Sequence, residues 1–128
     1  MLSSGVFSDG YFKVTREEPK SELTRVLAVT VDQMTLQFGP PTHIKIDVEG
    51  HEAAVLRGAR ATLGRFSPLL FLELHNEMVR LTGDSPGAAL DELAQLRYDT
   101  FATSGEAIDR NTVLAAPIIR IVAKPRVE

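Results

Sequence analysis

The sequence predicts an α/β domain built on a mainly parallel sheet with helices packed against it. Three observations carry that class. His43–Val48 and Pro68–His75 are short aliphatic runs of strand length, the second apolar on both faces until its end, as a central parallel strand is. Between them Val55, Leu56, Ala59 and Leu63 recur at helical spacing as one apolar stripe. The main run then reads strand, helix, strand, helix, strand, strand, the alternation of layered α/β folds with right-handed crossovers. At 128 residues the chain is expected to form a single domain over 1–128.

Each element has a local reason. Val6–Val14 reads as two short strands around Ser8-Asp9-Gly10, a turn sequence. Residues 15–25 are polar and read as a surface loop, and Val26–Val29 as a short extended piece. Thr30-Val31-Asp32-Gln33 has the capping-box pattern, which predicts a helix over Val31–Phe38. Gly39-Pro40-Pro41 ends it, because proline cannot continue a helix. In the next strand Ile44, Ile46 and Val48 share one face, and Gly50 permits a sharp exit. A helix from about His51 to Leu63 follows, closed by Gly64. Ser85 at the N-cap and Pro86 at the first helical position begin another, along which Leu90, Leu93, Ala94 and Arg97 repeat at three and four. Tyr98–Thr103 and Pro117–Ala123 read as strands, joined too briefly for a long helix and so expected to pair antiparallel.

Composition narrows the function. A formal charge of -3 argues against general nucleic-acid binding, which calls for a basic patch. No run approaches the ~18 apolar residues of a membrane span, and the first residues lack the basic-then-apolar pattern of a secretory leader, so the cytoplasm is the expected location. With no cysteine there is neither a disulfide framework nor a thiolate nucleophile, and any metal would sit on oxygen or imidazole. No two glycines are separated by a single residue, which excludes G-x-G-x-x-G phosphate loops.

In open α/β sheets ligands bind beyond the carboxyl ends of the strands. The first main strand ends in Asp47-Val48-Glu49 and the second in Glu73-Leu74-His75-Asn76. If these strands are parallel neighbours, Asp47, Glu49, Glu73 and His75 converge on one rim, where Glu52 could join them. Asp47 reads as lying inside an apolar strand, where an unpaired carboxylate is costly without a purpose or partner. His75 is the residue type suited to general base catalysis near neutral pH. Plainer roles stand beside these. Glu49 and Glu52 suit the positive end of a helix dipole, Glu73 can pair with Lys45 on the neighbouring strand, and His75 can be a surface residue. His43 and His51 read as structural or solvated. An Asp-x-Glu pair with a nearby histidine can also hold a hard divalent cation.

The run Ile44-Lys45-Ile46-Asp47-Val48-Glu49-Gly50-His51-Glu52, then Val55-Leu56-Arg57-Gly58-Ala59, then Pro68-Leu69-Leu70-Phe71-Leu72-Glu73-Leu74-His75, resembles the FkbM-type methyltransferases almost position by position. Upstream, Val29-Thr30-Val31-Asp32-Gln33-Met34 is similar to the family's "V-T-L-D-D-L" segment, so residues 26–76 carry the likeness. The resemblance implies a Rossmann-like class I sheet, S-adenosylmethionine as cofactor, and methylation of a hydroxyl oxygen on a small acceptor such as a sugar or natural product. The strand ending at Asp47 would be the fourth of that sheet, the one ending at His75 the fifth, and the last two its terminal antiparallel pair. Asp47 then stands beside the reactive methyl, orienting the acceptor or helping to remove its proton, with Glu49 and His75 next in line.

The family's Asp-x-Gly-Ala-Asn cofactor turn does not occur in the chain. The resemblance therefore implies the carboxyl half of a methyltransferase domain. Its fourth strand would become an exposed edge, open to a second copy or to an amino-terminal half. Two other readings remain: a truncated paralogue acting as an interaction module, and a small metal-dependent enzyme using Asp47, Glu49 and His75.

Overall fold

The computed structural model describes residues 2–8, 11–16 and 23–127, with side chains from residue 25 onward. Strands β1 (Leu2–Ser8), β2 (Tyr11–Arg16) and β3 (Leu23–Leu27) form an antiparallel meander in the order β1-β2-β3. The two strands read in Val6–Val14 are thus present, with Ser8 opposite Tyr11. The extended piece read at Val26–Val29 begins earlier, at Leu23. The turn residues Asp9 and Gly10, and the loop residues 17–22, lie outside the described residues.

Helix α1 spans Val31–Phe38, as its capping box predicts. The Thr30 hydroxyl accepts from the Gln33 amide at 3.0 Å, and the Gln33 side chain accepts from the Thr30 amide at 2.8 Å. Gly39 ends the helix at φ +91°, a backbone conformation that glycine adopts without strain.

The expected His51–Leu63 helix is two helices, α2 (Glu52–Arg57) and α3 (Arg60–Phe66), broken at Gly58-Ala59. The break is built in from α1. Asp32 accepts from the α3 amides of Ala61 and Thr62 at 3.2 and 2.8 Å, capping α3 from a neighbouring helix. The Thr62 hydroxyl donates to the same carboxylate at 2.6 Å. Burial works to raise the Asp32 pKa, but these hydrogen bonds outweigh it and hold the group below its ordinary value. Gly64 does not close the helix; Ser67, left-handed at φ +52°, does. The apolar stripe holds across the break, with Leu56, Ala59 and Leu63 buried.

Four further strands form a second sheet in the order β4-β5-β7-β6: β4 (His43–Ile46), β5 (Leu69–His75), β6 (Tyr98–Ala102) and β7 (Ile118–Pro125). β4 and β5 are parallel, while β7 is antiparallel to both β5 and β6. The sheet is therefore mixed, which corrects the expectation of a mainly parallel one; the antiparallel final pair is present. A four-residue helix, α4 (Asn76–Val79), follows β5 directly, and the short connection before β7 holds only a six-residue helix, α6 (Arg110–Ala115). Among the described residues β4 is an edge of this sheet, paired with β5 alone.

Nor is β5 buried on both faces. Leu70, Leu72 and Leu74 are buried, while Phe71 between them is 41% exposed. The buried face meets Ile46, Ile121, Ala123 and Tyr98 of its own sheet and the helical residues Leu56, Leu63, Leu90, Leu93 and Val113 in one core. Helix α5 starts at Ala88 and ends at Gln95, later than Ser85-Pro86 predicts, because Gly87 takes φ +89° immediately before it. Its inward side is Leu90, Leu93 and Glu92, with Ala94 exposed. No helix among the described residues is long and apolar enough to cross a membrane.

Candidate active site

β4 ends at Ile46, one residue before Asp47, so this carboxylate lies beyond the strand rather than inside it. Its side chain is 41% exposed. The cost of a buried charge therefore says nothing about Asp47; its neighbours do. Val48 leaves the expected apolar face and is exposed. Glu49 at φ +49° and Gly50 at φ +103° then turn the chain sharply into α2. Gly50 is required here: a Cβ would lie 3.0 Å from the Met78 backbone.

β5, parallel to β4, delivers Glu73 and His75 to the same end. Their positions two apart on a strand put both on one face. His75 Nε2 lies 3.3 Å from Asp47 Oδ1 and 3.3 Å from Glu73 Oε2. One donor atom from each of the three residues falls within 4.8 Å of the others. Glu73 and His75 are largely covered, at 15% and 14% side-chain exposure, whereas Asp47 faces outward. A hydrogen bond shared with Glu73 is the main force holding the Asp47 carboxyl below its ordinary pKa; the His75 contact and the Lys45 charge add to it against desolvation.

The expected Lys45–Glu73 pair is not the one formed. In register Lys45 stands opposite Phe71, and Glu73 stands opposite Arg120 of β7. Glu73 Oε1 forms an ion pair with Arg120 Nε at 3.1 Å, leaving Oε2 toward His75. Arg120 had no local signal in the sequence, since only the insertion of β7 beside β5 brings it here.

Glu52 does not join the rim. It is 1% exposed and its carboxylate accepts from the Gly50 amide at 2.7 Å and the His75 amide at 3.2 Å. It ties the loop after β4 to the end of β5 and so sets the separation of Asp47 from His75. Glu49 stays exposed, outside the three-residue cluster. Asn76 is structural: its side-chain amide donates to the Val113 and Ala116 carbonyls at 2.8 and 2.7 Å, closing the end of α6. His43 stacks on Phe71 with ring centroids 6.3 Å apart.

Beside the cluster an open cavity of about 330 Å³ is lined by Lys45, Asp47, Phe71, Glu73, Thr103 and Arg120, among others. It joins an aromatic floor to cations, carboxylates and a hydroxyl. Asp47 and Glu73 are in its lining and His75 is not; His75 Nε2 stands 3.3 Å from an oxygen of each.

An α/β domain with an acid–base cluster at the carboxyl ends of parallel neighbours has the ligand geometry of that fold class. The family model described as the methyltransferase FkbM domain matches residues 4–100, and the chain belongs to that family. No curated protein and no solved structure matches the chain.

Proposed function

We propose that the chain forms the acceptor side of an S-adenosylmethionine-dependent O-methyltransferase. The observation that carries this reading is the Asp47–His75–Glu73 cluster at the ends of two parallel strands in a chain of the FkbM methyltransferase family. In the finer reading, β4 and β5 are the fourth and fifth strands of a Rossmann-like sheet, and β6 and β7 its terminal pair.

The fit to the cofactor is partial. Asp47 offers a carboxylate beside the cavity, suited to a sulfonium charge or a ribose hydroxyl. The glycine-rich turn that the resemblance calls for does not occur in the sequence. The reading therefore includes a further segment, added along the open β4 edge, that completes the cradle. S-adenosylmethionine, when bound, supplies an electrophilic methyl group. The residues here would do the rest: the cavity would hold the acceptor against Asp47 and Glu73, and His75 Nε2, 3.3 Å from an oxygen of each, would hold the hydroxyl proton. Asp47 and Glu73 stabilise the imidazolium that results.

Calorimetric titration with S-adenosylmethionine and its demethylated product tests the reading, first with this chain and then with a separately expressed amino-terminal methyltransferase half added. Saturable binding in either mixture, weakened by Asp47→Ala, is expected. A folded chain that binds neither compound in both mixtures overturns it and favours an interaction module, to which the open β4 edge is suited.

A further inference from the structure

We propose that Asp47, Glu73 and His75 form a three-ligand site for a divalent cation. The donors come from two parallel strand ends and pair imidazole nitrogen with carboxylate oxygen, a mixture that suits first-row divalent ions. The sequence alone pointed to Asp47 with Glu49; the fold replaces Glu49 by Glu73.

The spacing is the first observation. Charge-assisted N–H···O bonds are typically ~2.7–2.9 Å, and in this protein they run from 2.7 Å for Arg57 Nη2–Asp84 to 3.3 Å for Arg57 Nη1–Asp84. Around His75 both contacts stop at 3.3 Å and share the one atom Nε2. A single N–H cannot be well aligned to two separate carboxylates. Donors held ~2.1 Å from one ion with angles of ~100–110° lie ~3.2–3.4 Å apart, the distance of His75 Nε2 from each carboxylate oxygen, and all three donors fall within 4.8 Å.

The surroundings are the second observation. The cluster opens on the cavity of about 330 Å³, which leaves room for water or an acceptor oxygen in the remaining coordination positions. Each ligand is also supported from outside. Arg120 engages the other Glu73 oxygen, Oε1, so Oε2 is left for the ion. Buried Glu52 fixes the His75 backbone and the Gly50 turn behind Asp47. Outer partners of this kind orient metal ligands. Resting on the methyltransferase reading, the ion would take over the task given above to His75 Nε2, which as a ligand has no lone pair left for a proton: it would hold the acceptor hydroxyl and lower its pKa.

The test uses the full chain and Mn²⁺ alone, with neither methyl donor nor acceptor, so it succeeds or fails independently of methyl transfer. The free-ion electron paramagnetic resonance signal should fall saturably at one ion per chain. Of the histidines at 43, 51 and 75, the imidazole of His75 should broaden first in proton spectra. Asp47→Asn, Glu73→Gln and His75→Gln should each weaken binding by about 100-fold or more, and Arg120→Gln by about 10-fold. Asp47 is exposed enough for its variant to fold; if the Glu73 variant does not, Asp47→Asn and His75→Gln carry the test. An unchanged free-ion signal at millimolar Mn²⁺ over a folded chain overturns the proposal, as does binding that survives Asp47→Asn and His75→Gln together.

Discussion

Glu92 and Arg60 close on each other to 2.8 Å, whereas His75 stands 3.3 Å from each of two carboxylates. Glu92 takes the Arg60 guanidinium in two parallel bonds of 2.9 and 2.8 Å, and Arg57, 4.0 Å from Glu92, holds Asp84 at 2.7 Å. Two cations face two anions, and the cluster joins α2, α3 and α5 at the rim of the core. The Arg60 bonds hold the Glu92 carboxyl below its ordinary pKa against the opposing effect of burial. At the other site two carboxylates share one imidazole through long contacts and face an open cavity. A saturated network spends its interactions on the fold. An unsaturated one retains lone pairs for something else.

The largest expected effect separates chemistry from stability. In the methyltransferase proposed above, His75→Ala should lower methyl transfer by about 100-fold or more, whether Nε2 serves as base or as metal ligand. The partly exposed Asp47→Asn should change folding stability by less than about 0.5 kcal/mol. An Asp47→Asn chain that melts far below wild type would make this cluster structural too and erase the contrast. Melting curves and a labelled-methyl assay decide it.

Next comes the turn that carries Asp47. Gly50→Ala places a Cβ 3.0 Å from the Met78 backbone at φ +103°. It should cost about 2–3 kcal/mol in denaturant unfolding and separate Asp47 from His75.

Glu92→Gln should cost about 1–2 kcal/mol, because its hydrogen bonds are charge-assisted. Its folded pKa is depressed, so the stability it contributes is present above the ordinary value of 4.5 and lost as pH falls below it through the folded value. The variant should accordingly show a shallower acid limb than wild type when stability is plotted against pH.

The smallest effect is on the far side of the sheet. The buried Tyr98 hydroxyl donates to the Pro68 carbonyl at 2.6 Å, and burial pushes its pKa from 10.0 up to about 12. Tyr98→Phe should cost about 1 kcal/mol. A raised pKa means the contribution is complete below pH 10.0 and is lost as pH rises through about 12. Only wild type should show that alkaline limb.

Local chemistry made much of this legible from residues alone. The Thr30–Gln33 capping box fixed α1 to the residue, because both its hydrogen bonds close within four positions. The run Ile44–His75 carried the family likeness and put Asp47 and His75 at neighbouring strand ends. The sequence was less informative wherever a distant segment intervenes. Asp32 caps α3 across 29 residues and so helps divide a helix whose apolar stripe is continuous.

By itself, the sequence determined α1, the strands β4 and β5, the antiparallel final pair, the buried stripe Leu56, Ala59 and Leu63, and the residue types available at the strand ends, because each depends on spacing along nearby segments. Tertiary structure alone decided that β7 enters between β5 and β6, giving Glu73 to Arg120 instead of Lys45. It also decided that Glu73, not Glu49, stands with Asp47 and His75. Strand neighbours and ion-pair partners are contacts between distant segments, chosen by how all the strands share one core, and no local pattern encodes that choice.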